Sequence, residues 1–160
     1  MNQSTTRLEL ALQSALLHCM DDVVRDANAD AARLEGASKC EKLEKNQIRN
    51  VLNVAEESHS LAVVTNFIRY QMGRSGTGPA WRHNGFGLRV VEQIESLMGV
   101  VHRRAEQGLA ELPDLPEGAR EQVRYELMRY YLGYLNRAFV YGNSGLKDAW
   151  ENLRQASQEA

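Results

Sequence analysis

The sequence has no long hydrophobic run, few cysteines, and no strand-like alternation bounded by turn signals. Its apolar runs are only a few residues long, far short of the roughly 20 that a membrane-spanning helix needs. The start, MNQSTTRLE, carries no charged-then-apolar leader pattern. A soluble cytoplasmic protein with no membrane partner is therefore predicted. The two cysteines, Cys19 and Cys40, are read as reduced, buried small residues, because an export context is absent. No alternation of period two persists anywhere, which excludes a sheet protein.

Catalytic and metal-binding patterns are equally scarce. His18, His59, His83 and His102 fall in four different elements, and none lies one helical turn from a second His or Cys, as metal sites usually require. The glycine-rich string GRSGTG at Gly73 to Gly78 lacks the Gly-Lys-Ser/Thr ending of a phosphate loop, and no strand precedes it. Paired carboxylates such as Asp21-Asp22 and Glu56-Glu57 are of the exposed helix-surface type. The expectation is a non-enzymatic protein with no catalytic residues, no metal site and no cofactor.

What is present is helical periodicity along most of the chain. At 160 residues and 43% apolar content, one ordinary globular core can be built, so a single all-α domain over residues 1–160, a bundle of about five or six helices, is predicted. Leu8, Leu12, Ala15, Leu16, Cys19, Val23, Ala27 and Ala31 recur at helical steps and read as one long helix over 5–35, lightly packed in its second half and stopped by Gly36. Two helices of about three turns follow in 45–74, with Ser58 or Ser60 available to cap the second. Five glycines and Pro79 make 73–87 a loop that Trp81 and Phe86 tuck onto the core. A helix over 88–111 has Leu88, Val91, Ile94, Leu97, Met98 and Val101 on its buried side. Pro113 and Pro116 break the chain around Asp114-Leu115. A tyrosine-rich helix spans 117–141, and a short last helix starts near Ser144.

Charge is unevenly spread. The net charge is −2, which argues against gripping nucleic acid over the whole surface. Yet residues 45–104 carry +4, between ends of −3 each. A basic middle of this kind suits a local anion-binding face, and also internal pairing with the acidic ends. Lys45, Arg49, Arg69 and Arg74 are the candidate nucleic-acid contacts, since a phosphate backbone is neutralised by Lys and Arg at loops and helix ends. Tyr130, Tyr134 and Tyr141 are the candidate partner contacts, because tyrosine is favoured at interface centres.

Three short motifs occur in a fixed order: Gln47-Ile48-Arg49 opening one helix, Tyr70-Gln71-Met72-Gly73-Arg74 closing the next, and Tyr134 with Phe139-Val140-Tyr141-Gly142 ending a later one. Together they resemble the small helical subunit of type III CRISPR effector complexes, the type III-A form in particular. The resemblance implies a non-enzymatic subunit present in several copies, stacking head to tail by self-association. Its implied partners are the other subunits of the complex, the guide RNA and the target RNA, with Arg49 and Arg74 nearest to the RNA backbone. The alternative is a protein-binding adaptor without nucleic-acid contact that uses the Tyr-rich helix 125–141.

Overall fold

The computed structural model describes residues 3–96, 103, 104, 107, 109 and 117–159, and all regular structure among them is helical. Helix α1 (Gln3–Leu17) is followed by α2 (Met20–Ala31) and a 3-10 turn, Ala32–Leu34. Next come α3 (Lys45–Ser58), α4 (Leu61–Gly73), the short α5 (Gly78–Arg82) with a 3-10 turn at His83–Gly85, and α6 (Phe86–Ser96). The chain ends with α7 (Ala119–Gly142) and α8 (Ala149–Ala156). The all-α reading holds, with more helices than the five or six expected. Leu97, Met98, Val101, His102 and the Pro113–Pro116 break lie outside the described residues.

The extra helices have physical causes. The long first helix divides at His18-Cys19, where Cys19 is wholly buried. Its buried positions Ala15, Cys19, Val23, Ala27 and Ala31 advance four residues at a time, and a straight 3.6-residue helix drifts about 40° at each such step. The turn at Cys19 resets the phase. On α1, by contrast, Leu10 and Leu17 are 60% and 66% exposed.

The second half of this region is densely packed, contrary to expectation. Ala27 and Ala31 are fully buried because small side chains let α7 approach α2 closely. Asp30, 2% exposed, accepts hydrogen bonds from the Tyr131 hydroxyl at 2.9 Å and from Arg89 Nε at 3.1 Å. Gly36 then turns the chain away with φ +74°, a conformation that glycine adopts without strain.

The glycine-rich stretch is also more ordered than a loop. Trp81 and Phe86 are buried with ring centroids 5.5 Å apart, and that burial outweighs the poor helix propensity around them. A side chain at Gly87 would meet Met72 Sδ at 2.6 Å and the Trp81 carbonyl at 2.8 Å. This glycine is a packing requirement.

Helices α3 and α4 form a hairpin whose turn is set by His59 in the left-handed region (φ 52°) and by Ser60, whose Oγ accepts from the Val63 amide at 3.4 Å. Helix α7 is the spine of the core. It packs along α2 and α3, and its end is covered by α8, where Trp150 lies so close over Gly142 that no side chain fits there. One contiguous apolar cluster runs from Ala15 to Leu153.

Asp30 gives this core a pH dependence. Burial raises its carboxyl pKa, outweighing the hydrogen bonds from Tyr131 and the charge of Arg89, which lower it. A carboxyl whose folded pKa lies above its unfolded one contributes stability that is present below the unfolded pKa and lost as pH rises through the folded pKa. Asp30→Asn keeps an oxygen for the Tyr131 hydroxyl and removes the titration. Chemical denaturation at several pH values should therefore find the variant gaining on the wild type as pH rises from about 4 to 7. A difference that shrinks over that range would mean that the attraction of Arg89 outweighs burial.

Candidate nucleic-acid interface

Lys45, Arg49, Leu52 and Glu56 follow one another at three- and four-residue steps, so they form one row along α3. The neighbouring face, about 100° round the helix, buries Ile48, Val51 and Ala55 in the core. The row faces α7, which runs antiparallel to α3: His59 at the end of α3 stacks on Tyr125 near the start of α7, with rings 4.8 Å apart and tilted by 23°. Further along, Leu52 and Glu56 form one wall of an open cleft of about 270 Å³. Arg129, Tyr130, Gly133, Tyr134 and Arg137 form the other. Arg49 and Lys45 lie further back along the same α3 row, exposed and outside the lining of the cleft.

The α7 wall is a ladder of two stacked rings with a cation at each end. Tyr130 and Tyr134 stack with centroids 6.4 Å apart at 20°. Arg129 lies 5.5 Å from the Tyr130 ring centre and Arg137 lies 5.4 Å from that of Tyr134, both in cation–π range. Glu126 hydrogen-bonds the Arg129 guanidinium at 2.8 Å and raises its pKa. Arg137, Arg49 and Lys45 have no acidic partner within ion-pair distance among the described residues. The row and the ladder together hold four cations, Lys45, Arg49, Arg129 and Arg137, against the carboxylates of Glu56 and Glu126. The surplus is positive on a protein that is acidic as a whole.

The structure divides the candidate residues. Lys45 and Arg49 are exposed on the α3 row whose Leu52 and Glu56 line the cleft with Tyr130 and Tyr134. Arg69 lies on the other flank of the hairpin, where Glu95 of α6 binds it at 2.6 Å. Arg74, just past α4, reaches Gln71 Oε1 at 3.4 Å and lies 5.7 Å from the centre of the exposed Tyr70 ring. Tyr141 is turned to α8, its hydroxyl accepting from Asn152 Nδ2 at 3.0 Å. Internal pairing of the basic middle with the acidic start also occurs, through Arg89 with Asp30 and Arg104 with Asp22.

Sequence reasoning missed Arg129, Gly133 and Arg137 as members of a site. The signal was there in the interleaving of arginine and tyrosine at helical steps from 129 to 137, but which flank of α7 meets α3 is a tertiary fact. Leu52 and Glu56 were visible only as an apolar-stripe residue and half of an acidic pair.

The three described histidines, His18, His59 and His83, make local contacts. His18 Nδ1 contacts the Ser14 carbonyl at 2.7 Å, His59 stacks as described, and His83 lies between the Glu35 carbonyl at 3.3 Å and the Glu41 carboxylate at 3.4 Å. Among the described residues no group of three or more His, Cys, Asp or Glu is placed to hold a metal ion. Cys19 is buried and Cys40 exposed, and burial pushes the Cys19 thiol pKa up. Nor is any described helix long and apolar enough to cross a membrane. Compared with protein-family models, curated proteins and solved structures, the chain matches none.

Proposed function

We propose that this chain is a non-catalytic, cytoplasmic small subunit of a type III CRISPR RNA-guided effector complex, repeated along the complex and contacting the backbone of guide and target RNA. The observation that carries the reading is the α3 row that holds Lys45 and Arg49, without acidic partners among the described residues, and whose Leu52 and Glu56 face the arginine–tyrosine group of α7 across the cleft. Unpaired guanidinium and ammonium groups on one edge are what a phosphate backbone requires. The three motifs lie at helix ends, with Gln47-Ile48-Arg49 near the start of α3, Tyr70 to Arg74 closing α4, and Phe139 to Gly142 ending α7. With few cations per copy, binding by one subunit is weak, and repetition along the complex raises the effective concentration.

A protein-binding adaptor is the second reading. It is favoured by the exposed apolar group of Val140, Tyr141 and Leu146 at the end of α7. The two readings separate in one experiment. Affinity purification from cells expressing the chain with its neighbouring genes and a guide RNA should recover a ribonucleoprotein holding the chain in more than one copy. Recovery with protein partners and no RNA would favour the adaptor, and recovery of the free chain alone would overturn the small-subunit reading.

A further inference from the structure

We infer that the α3–α7 cleft receives one unpaired nucleobase bearing an exocyclic amino group, from a strand whose phosphates lie on Arg49 and Arg137. The inference rests on the backbone-binding reading above and adds a base-reading element to it.

Gly133 is the first reason. It sits in the middle of α7, where glycine weakens a helix relative to alanine, yet its φ is not among the positive ones and an added Cβ would meet nothing within 4 Å. Neither backbone geometry nor internal packing requires it, in contrast to Gly87 and Gly142. What it does is keep the floor of the cleft open between Tyr130 and Tyr134.

The chemistry of the walls selects the occupant. Aromatic rings with guanidinium groups over them, and Leu52 opposite, offer flat apolar and π surfaces of the kind on which unpaired bases stack. At about 270 Å³ the cleft is smaller than the ~300–1,000 Å³ of typical ligand pockets, which suits a single ring system. Glu56 is exposed and makes no ion pair with Arg129 or Arg137, although all three line the cleft. Its carboxylate only accepts hydrogen bonds when ionised. It therefore opposes a phosphate at the α3 wall and favours an amino group of cytosine, adenine or guanine there, while the phosphates lie toward Arg137 at the α7 wall and the exposed Arg49.

The test is fluorescence anisotropy of the purified chain at low salt with labelled oligo(rC), oligo(rU) and an abasic strand of equal length. Oligo(rC) should bind about 5- to 100-fold more tightly than the abasic strand, with oligo(rU) between them. Gly133→Leu, whose side chain enters open space, should erase the advantage of oligo(rC) over the abasic strand and leave the salt dependence unchanged. Glu56→Gln, on the surface and independent of helix packing, should remove the preference for oligo(rC) over oligo(rU) and keeps the test valid if the leucine variant misfolds. Equal binding of all three strands by the wild type would overturn the base inference and leave backbone binding standing. No binding of any strand at low salt, even at protein concentrations approaching ~1 mM where a weak single-subunit contact still saturates, would overturn both.

Discussion

Replacing Trp81 by alanine is expected to lower the free energy of unfolding by about 3–5 kcal/mol, the range for removing a large buried aromatic. Trp81 is 1% exposed, packs against Phe86, and belongs to the core cluster that joins α5 and α6 to the rest. The cost combines lost transfer energy with a cavity that cannot collapse, because the close contacts at Gly78 and Gly87 hold the backbone of α5 and α6 against Met72. For a chain of this size each kcal/mol moves the melting temperature by roughly 2–4 °C, so a fall of about 10 °C is expected by circular dichroism. Trp81→Phe should cost much less. Its Nε1 is buried with no hydrogen-bond partner among the described residues, and an unsatisfied buried donor is itself a penalty of about 1–3 kcal/mol. Removing it offsets part of the lost area. A change below about 1 kcal/mol for the alanine variant would mean that Trp81 does not anchor this segment.

The combined substitution Lys45→Ala, Arg49→Ala and Arg137→Ala should weaken RNA binding by the assembled complex about a hundredfold at ~0.1 M salt. If each side chain neutralises one phosphate, counterion release sets a contribution of about 0.7 per contact to the slope of log affinity against log salt for a single strand. Three contacts then flatten the slope by about 2. Arg69→Ala is the internal control. Its guanidinium is already held by Glu95 at 2.6 Å on the far flank of the hairpin, and its loss should leave the slope nearly unchanged. The readout is filter binding over a salt series, with helicity checked by circular dichroism. An unchanged slope for the triple variant would remove the backbone-binding reading and leave the adaptor ahead.

Both predictions depend on where the chain brings distant segments together, and the sequence carried that information unevenly. The α3 and α4 helices, the Ser60 cap, the extent of α7 and the burial of Trp81 and Phe86 were all legible. Each rests on local signals: a 3.6-residue apolar period, a serine before a helix, glycine after one. The break at Cys19 and the short helix α5 were not legible, because a change of phase and a helix built on burial leave little mark on periodicity.

The candidate interface divides in the same way. Composition and order determined that the middle of the chain is basic and that tyrosines crowd α7. They could not determine that Arg69 is paired with Glu95, or that Leu52 and Glu56, on the row of Lys45 and Arg49, line a cleft with Arg137. The reason is that a helix fixes which of its residues share a face, but not which neighbour that face meets. That choice is made by packing between segments some 80 residues apart in sequence, where α7 buries its apolar side against α2 and α3 at once and leaves the arginine–tyrosine flank turned toward the basic row of α3.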